Sequence, residues 1–485
     1  MTAKAREARL DFIPARIQLF TFARQLEMKT KPTPPQDSQD FNRRDFIRGS
    51  SLATIMAMLG GVELRAQAPD AARGEEKETG DTVKCGVIGL GARGREIVST
   101  LARIKQAEVS AVCDKYPAFM RRGTNLAPKA KAMEDYRKIL DDKDITAVLI
   151  ATPTHLHKDI VKEALQAGKH VYCEAPLAHT MEDARAIAQA ARAATKQMFH
   201  AGLQMRSDPQ RHFLLPFIRS GALGNVAMAR AQWHKKQSWR MAAATPERER
   251  ELNWRLRYET STGMMGEIGI HQLDMASLFL NARPVSVTGF GSLIHWKDGR
   301  DVADTVQTII EYPGGVRLIF HATLANSFDS DYEMYYGSDA AVMLRENKAW
   351  MFKEVDSPLL GWEVYARKDQ FYKETGIALV ANATKLVAQG EKPVEEAPFT
   401  NTPLYYALEA FLTNANEMTT GFEDFKASFN VNDTKALEKY LSELQMQPYA
   451  TWQDGYGATV VAIKANEAVV KGQKITFQDD WFELG

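Results

Sequence analysis

Cysteine is scarce in this chain, and neither sign of charge prevails. Three cysteines occur in 485 residues, Cys85, Cys113 and Cys173. They lie too far apart for a C-x-x-C zinc or redox pair, and each falls at an end of an apolar run, where it reads as a small buried hydrophobe. No group of His, Cys and Asp residues has metal-ligand spacing, so no metal is expected. Basic and acidic residues balance at 61 each. Without a basic excess there is no electrostatic footprint for nucleic acid, and the expected ligand is small and neutral. Long hydrophobic runs are missing too. The weakly apolar stretch 50–64 is too short and too rich in Gly, Ser and Ala to remain as a membrane anchor. The length exceeds what one ordinary core fills and predicts two domains with appendages.

Residues 1–83 read as leader and linker rather than fold. Asn42-Arg43-Arg44-Asp45-Phe46-Ile47-Arg48 resembles a twin-arginine export motif, and it precedes the apolar stretch and then Ala66-Gln67-Ala68, a small-residue cleavage site. Cleavage is expected after Ala68, giving a periplasmic protein that begins at Pro69. Met28 competes with Met1 as the start, because residues 1–27 are superfluous to such a leader. Residues 69–83 are polar and read as a disordered linker.

What is present in strength is the stretch Lys84 to Asp114. An apolar run, Cys85 to Ile88, leads into Gly89-Leu90-Gly91-Ala92-Arg93-Gly94, followed by Ile97, Val98, Leu101 and Ile104 at helical spacing. Glycines between a strand and a helix form a dinucleotide site. Gly89 permits the tight turn, Gly91 lets the backbone approach a pyrophosphate, Gly94 lets helix and strand pack, and the helix N-terminus offers N–H groups to the anion. A second strand, Val109 to Cys113, ends in Asp114, 20 residues past Gly94, where a carboxylate can accept hydrogen bonds from the adenosine ribose. Asp114 favours NAD by repelling a 2′-phosphate, while Lys115 and Arg121 keep NADP open.

Strands at 145–152, 170–173 and 197–201 alternate with helices at 157–166 and 181–194, the latter capped by Thr180. This predicts an α/β fold with a parallel doubly wound sheet over 84–202, ligand at the carboxyl ends of its strands. Thr152, Pro153, His155, Glu174 and Pro176 follow strand ends and should line the nicotinamide half of the cleft. From 203 to 395 the pattern becomes strands at 226–233, 285–293, 306–312, 316–325, 332–337 and 341–344, with a turn at Pro313-Gly314-Gly315, a helix at 269–280 and a polar segment at 384–399. That predicts an α+β domain with a meandering, open antiparallel sheet. Helices at 404–416, 434–444 and 457–470 make a C-terminal extension, 396–485, expected to pack back on the core.

These residues resemble the Gfo/Idh/MocA oxidoreductases. The resemblance covers roughly 84–388 and rests on the glycine fingerprint, Ala151-Thr152-Pro153-Thr154-His155, Gly168-Lys169-His170-Val171-Tyr172-Cys173-Glu174-Ala175-Pro176-Leu177, and Gly266-Glu267-Ile268-Gly269-Ile270-His271-Gln272-Leu273-Asp274. It implies a Rossmann domain followed by an open antiparallel sheet, and hydride exchange between a nicotinamide and a secondary hydroxyl of a sugar or polyol. Two departures bear on mechanism. The family usually has E-K-P where this chain has Glu174-Ala175-Pro176, and Asp where it has Glu267. His271 then becomes the expected acid-base group, with a pKa near neutrality suited to taking a hydroxyl proton, and Glu267 would fix its tautomer if the intervening backbone is helical.

Substrate candidates are Trp233, His234, Lys235 and Trp239, in a loop after the first strand of the second domain, with Arg206 and Tyr258. Lys235 or Lys236 could replace the missing lysine, against the alternative of a solvated turn. Three functions remain open: an oxidoreductase with tightly held NAD(H), loaded before export; a glycoside hydrolase working by transient oxidation and elimination, implied by the likeness at Ala175 to N-acetylgalactosaminidases that resemble this family and lack the same lysine; and a non-catalytic binding protein. The expected partner is a small carbohydrate, with self-association through the antiparallel sheet left open.

Overall fold

The computed structural model describes residues 81–360, 363, 366–371, 374–379 and 399–485. The export motif, the cleavage site and nearly all of the linker lie outside the described residues, as does the polar segment up to 398.

Six strands form the first sheet: β1 (Val83–Ile88), β2 (Ala107–Cys113), β3 (Lys131–Met133), β4 (Ala147–Ile150), β5 (His170–Cys173) and β6 (Phe199–Ala201). All pair in parallel, in the order β3-β2-β1-β4-β5-β6. The direction of winding reverses between β1 and β4, and a ligand binds outside the carboxyl ends of the strands at such a point. Helices α1 (Ala92–Leu101), α2 (Pro117–Leu126), α3 (Arg137–Asp141), α4 (His157–Gln166) and α5 (Met181–Ala193) make the connections. Every residue of β4 and β5 is buried, as strands covered on both faces require. The Thr180 side chain accepts from the Asp183 amide and starts α5.

After α6 (Pro209–Arg219) the chain enters β7 (Val226–His234), then α7 (Pro246–Leu252), a π-helical turn (Met265–Gly269) and α8 (Ile270–Leu280). It continues through β8 (Ser286–Ser292), β9 (Thr305–Glu311), β10 (Arg317–Thr323), β11 (Asp331–Gly337), β12 (Ala340–Arg345), β13 (Lys348–Lys353), β14 (Lys368–Phe371) and β15 (Glu374–Ala378). Then come α9 (Pro403–Ser428), α10 (Thr434–Ser442), α11 (Trp452–Lys471) and a short β16 (Ile475–Thr476). The second sheet has the order β14-β15-β13-β12-β11-β7-β10-β9-β8-β16. It is not the pure meander expected. β7 lies centrally, antiparallel to β11 but parallel to β10, because the chain leaves β7 through helices before returning as hairpins.

One face of this sheet packs on α6, α8 and α11 through Leu214, Leu273, Phe279, Phe320 and Val469. Each fully buried aliphatic or aromatic side chain here contributes about 1.5–3 kcal/mol. α9 covers one face of the first sheet, placing Leu404, Phe411 and Leu412 against Cys85, Val87 and Leu149. α11 is shared. Tyr456, Ala458, Val460 and Ala462 join the core of the first sheet, while Val461, Ala465, Ala468 and Val469 join that of the second. It starts in a capping box, with Thr451 N–H and Oγ1 donating to Asp454 Oδ2 and the Asp454 amide donating back to Thr451 Oγ1.

Candidate active-site cleft

β1 ends and α1 begins around a three-residue turn, Gly89 to Gly91. Gly89 adopts φ 90°, and a Cβ there would lie 2.7 Å from the Ala151 carbonyl oxygen. A Cβ on Gly94 would fall 1.8 Å from the Gly89 carbonyl oxygen, so α1 rests directly on the strand end. Gly91 differs, because nothing lies within 4 Å of its Cβ position. No neighbour in the protein demands glycine there. Space before a helix whose first turn, from Ala92 and Arg93, has no side-chain cap fits a pyrophosphate approached by the backbone. The Thr152 hydroxyl and His155 Nδ1 are buried nearby in sequence to the β4 end without hydrogen-bond partners. These features fit a dinucleotide.

Asp114 follows β2 as expected, and the backbone fixes its carboxylate. Oδ2 accepts from the Leu90 amide at 2.7 Å and Oδ1 from the Tyr116 amide at 2.8 Å. Burial pushes its pKa up, against these two donors. A carboxylate has about four acceptor sites, so capacity for a ribose hydroxyl remains. Lys115 is paired with Glu251 at 2.9 Å, and Arg121 is exposed on α2.

Arg93, the second residue of α1, joins three elements. Its Nε donates to Glu174 Oε1 at 2.8 Å, Nη1 to Glu96 at 2.9 Å and Nη2 to Gln204 at 2.7 Å. Glu174 and the cis Ala175–Pro176 bond follow β5 directly. His271 stands on the first turn of α8, with Nδ1 buried and unpartnered. Burial, then the positive charge of Arg93, pushes its pKa down to about 4 rather than leaving it near neutrality. A neutral imidazole is the result.

The expected Glu267–His271 contact is not made. Glu267, with its side chain only 3% exposed, accepts from Arg255 Nε at 3.2 Å, Ser261 Oγ at 3.2 Å and Thr154 Oγ1 at 3.4 Å. The reason is that these donors, on the segment before the π-helical turn and on the loop after β4, take up the carboxylate. Burial pushes the Glu267 carboxyl up, and Arg255 pulls it back. Glu267 thereby ties the loop after Pro153 to the second domain. His155 sits in the same seam, its ring 6.0 Å from His179 and 6.1 Å from Trp254.

The substrate candidates fare differently. Arg206 is internal, held by Asp274 through two 2.8 Å bonds and by Asp454 at 2.8 Å, and is not free for a ligand. His234 is spent on the Phe328 carbonyl oxygen at 3.0 Å and on His321 Nδ1 at 2.9 Å. The Tyr258 hydroxyl accepts from the Ala303 amide at 3.2 Å. Trp233 and Trp239 pack against the second core, with the Arg255 guanidinium 5.9 Å over the Trp239 ring. Lys235 and Lys236 are exposed, and their backbone amides bond Thr323 and Ser327. The sequence reading missed Arg255, Gln204 and Glu251, isolated polar residues that no spacing marks, and gave no role to Thr154, which it quoted only as part of a motif. Among the described residues no group of three or more His, Cys, Asp or Glu could hold a metal.

A family model described as an oxidoreductase family with an NAD-binding Rossmann fold matches residues 83–202, and one described as a GFO/IDH/MocA C-terminal domain matches 216–342. Together they take in just over half of the chain. Levoglucosan dehydrogenase of Pseudarthrobacter phenanthrenivorans is 32% identical over 203 residues, covering 37% of this chain and 50% of that protein. Inositol 2-dehydrogenase of Salmonella typhimurium is 30% identical over 202 residues, 41% of this chain and 55% of that protein. The chain thus spans about half the length of these curated relatives. The solved structure of levoglucosan dehydrogenase in complex with NADH and levoglucosan superposes with a TM-score of 0.60 at 19% identity, over 82% of this chain and 99% of that one, a likeness of fold.

Proposed function

The chain belongs to the GFO/IDH/MocA family of oxidoreductases, and from that premise we propose that it exchanges hydride between tightly held NAD and a secondary hydroxyl of a sugar, polyol or glycoside. The observation that carries this reading is the placement of His271. Its Nδ1 is buried without a partner, and its ring lies within electrostatic reach of Arg93 at the start of the helix that the glycine turn opens.

NAD, when bound, supplies the hydride acceptor; the rest falls to this chain. The first turn of α1 and the open space at Gly91 would receive the pyrophosphate, and Asp114 would receive the ribose. A hydroxyl that loses hydride must also lose its proton. His271 is neutral, with Nδ1 unpartnered, so it has a lone pair for that proton, at the cost of basicity, since burial holds its pKa near 4. Arg93 is a positive charge fixed by Gln204 and by Glu174, the chain neighbour of Ala175, which supplies none. Glu267, bonded to Arg255 and Thr154, keeps the two halves of the cleft in register.

His271→Ala tests this. It is expected to lower kcat by roughly 10²- to 10⁴-fold while leaving the dinucleotide Kd unchanged, as removal of an acid-base group should. A glycoside panel supplies the readout. A net change in nicotinamide absorbance supports the oxidoreductase. Release of aglycone without net change transfers the reading to the glycosidase that Ala175 suits, and full activity of His271→Ala places the acid-base group elsewhere.

A further inference from the structure

α7 belongs to the second domain, yet it reaches the turn that follows Asp114. Glu251 Oε1 pairs with Lys115 Nζ at 2.9 Å, its other oxygen accepts from the Tyr116 hydroxyl, and the Arg248 guanidinium lies 5.3 Å over the Tyr116 ring. Lys115 and Tyr116 directly follow the carboxylate assigned to the ribose, and Tyr116 supplies one of the two amides that fix it. The side chains of Lys115 and Glu251 are 56% and 51% exposed, and an exposed ion pair of this kind contributes little to stability. Its consequence lies in local charge.

Dinucleotides with and without a 2′-phosphate differ at this one point, and the phosphate needs a cation with free donors. Arg95 is turned toward Leu90 and Phe119, its Nη1 donating to the Leu90 carbonyl oxygen at 2.7 Å and its guanidinium 5.8 Å over the Phe119 ring. Lys115 is the ammonium adjacent to Asp114 in the chain, and Glu251 occupies it. We infer that Glu251, supplied across the cleft by the second domain, is a specificity-determining residue that excludes NADP by holding Lys115.

This inference rests on the dinucleotide reading above and extends it to an element outside the glycine motif. Removing the Glu251 charge releases the Lys115 ammonium, one residue past the carboxylate that receives the ribose, for a 2′-phosphate. Removing Lys115 as well takes away the phosphate partner, so the gain should vanish.

The test is equilibrium titration of the full chain, freed of nucleotide, with NAD and with NADP. Wild type, Glu251→Gln, Lys115→Ala and the double variant are compared, and thermal melts verify that each is folded. Glu251→Gln is expected to shift the ratio of the two Kd values toward NADP by about tenfold, the scale of one charge-assisted hydrogen bond, and the double variant should return to the wild-type ratio. If wild type binds NAD and the Glu251→Gln ratio stays unchanged, or if the double variant keeps the gain, the role of Glu251 is overturned while the cofactor site stands. If folded wild type binds neither dinucleotide, the underlying reading falls and takes this one with it.

Discussion

His200 shows what burial does to a single side chain. It lies fully buried on β6 among the rings of Tyr172, Phe411 and Tyr449, with neither ring nitrogen hydrogen-bonded. Burial pushes its pKa from 6.5 down to about 3. The unfolded chain takes up a proton near pH 6.5 and the native one only near pH 3, so the stabilisation from keeping this site neutral is complete above 6.5 and declines as pH falls toward 3. His200→Phe keeps the aromatic volume and removes two unpartnered nitrogens. It is expected to add about 1 kcal/mol near neutrality, and to flatten the loss of stability on acidification. Denaturant titrations of both proteins near neutrality and at about pH 5 check this, and identical acid slopes would rule the explanation out. The same physics limits what a sequence tells. His271 could be named from its motif, but its lowered pKa could not, because that depends on what is packed around it. Arg206 likewise reads as an available cation, since its partners Asp274 and Asp454 lie far along the chain.

The turn between β1 and α1 separates folding from binding within a few residues. Gly94→Ala would drive a methyl group into the Gly89 carbonyl oxygen, and a destabilisation of about 2 kcal/mol is expected together with loss of dinucleotide binding. Gly91→Ala meets no protein atom within 4 Å. Its stability should stay within about 0.5 kcal/mol of wild type, while dinucleotide affinity falls at least roughly tenfold because the methyl occupies the anion's place. Melting curves and dinucleotide titrations on the two variants separate these outcomes, and a Gly91→Ala protein that binds normally would remove the pyrophosphate from this turn. Elements of this kind were legible because their signal is local: apolar runs such as Val148 to Ile150, glycines at fixed offsets, and a Thr cap. Others were not. α9 was expected to stop at Asn416, yet it runs to Ser428, because Gly421, a breaker by composition, provides the gap into which Leu444 packs. β14 and β15 carry little apolar pattern; β15 adds to the edge of the sheet at β13, and β14 to β15. The parallel pairing of β7 with β10 depends on which strands become neighbours after distant segments fold, and no spacing encodes it.

Across the whole molecule, the second sheet is covered on one face only among the described residues. Its other face carries Phe290, Ile309 and Ile319 at 62%, 47% and 38% exposure. Ile309 stands directly opposite Ile319 across β9 and β10, and Phe290 is diagonal to Ile309 across β8 and β9, so the three form one patch. Contiguous apolar exposure on an open sheet face marks an interaction site, and a second copy of the chain is the occupant we propose. Light scattering should then give the wild-type protein a multiple of the chain mass, and Ile309→Asp the mass of one chain; a monomeric wild type would refute it. The opposite face of the sheet is closed by α11, whose alternate sides complete both cores. For a chain emerging from the ribosome this sets an order of events. Neither half can reach its finished packing until residues 452–471 have been made, so the cleft between the halves, and the cofactor it is built to receive, belong to the completed polypeptide and not to any nascent domain.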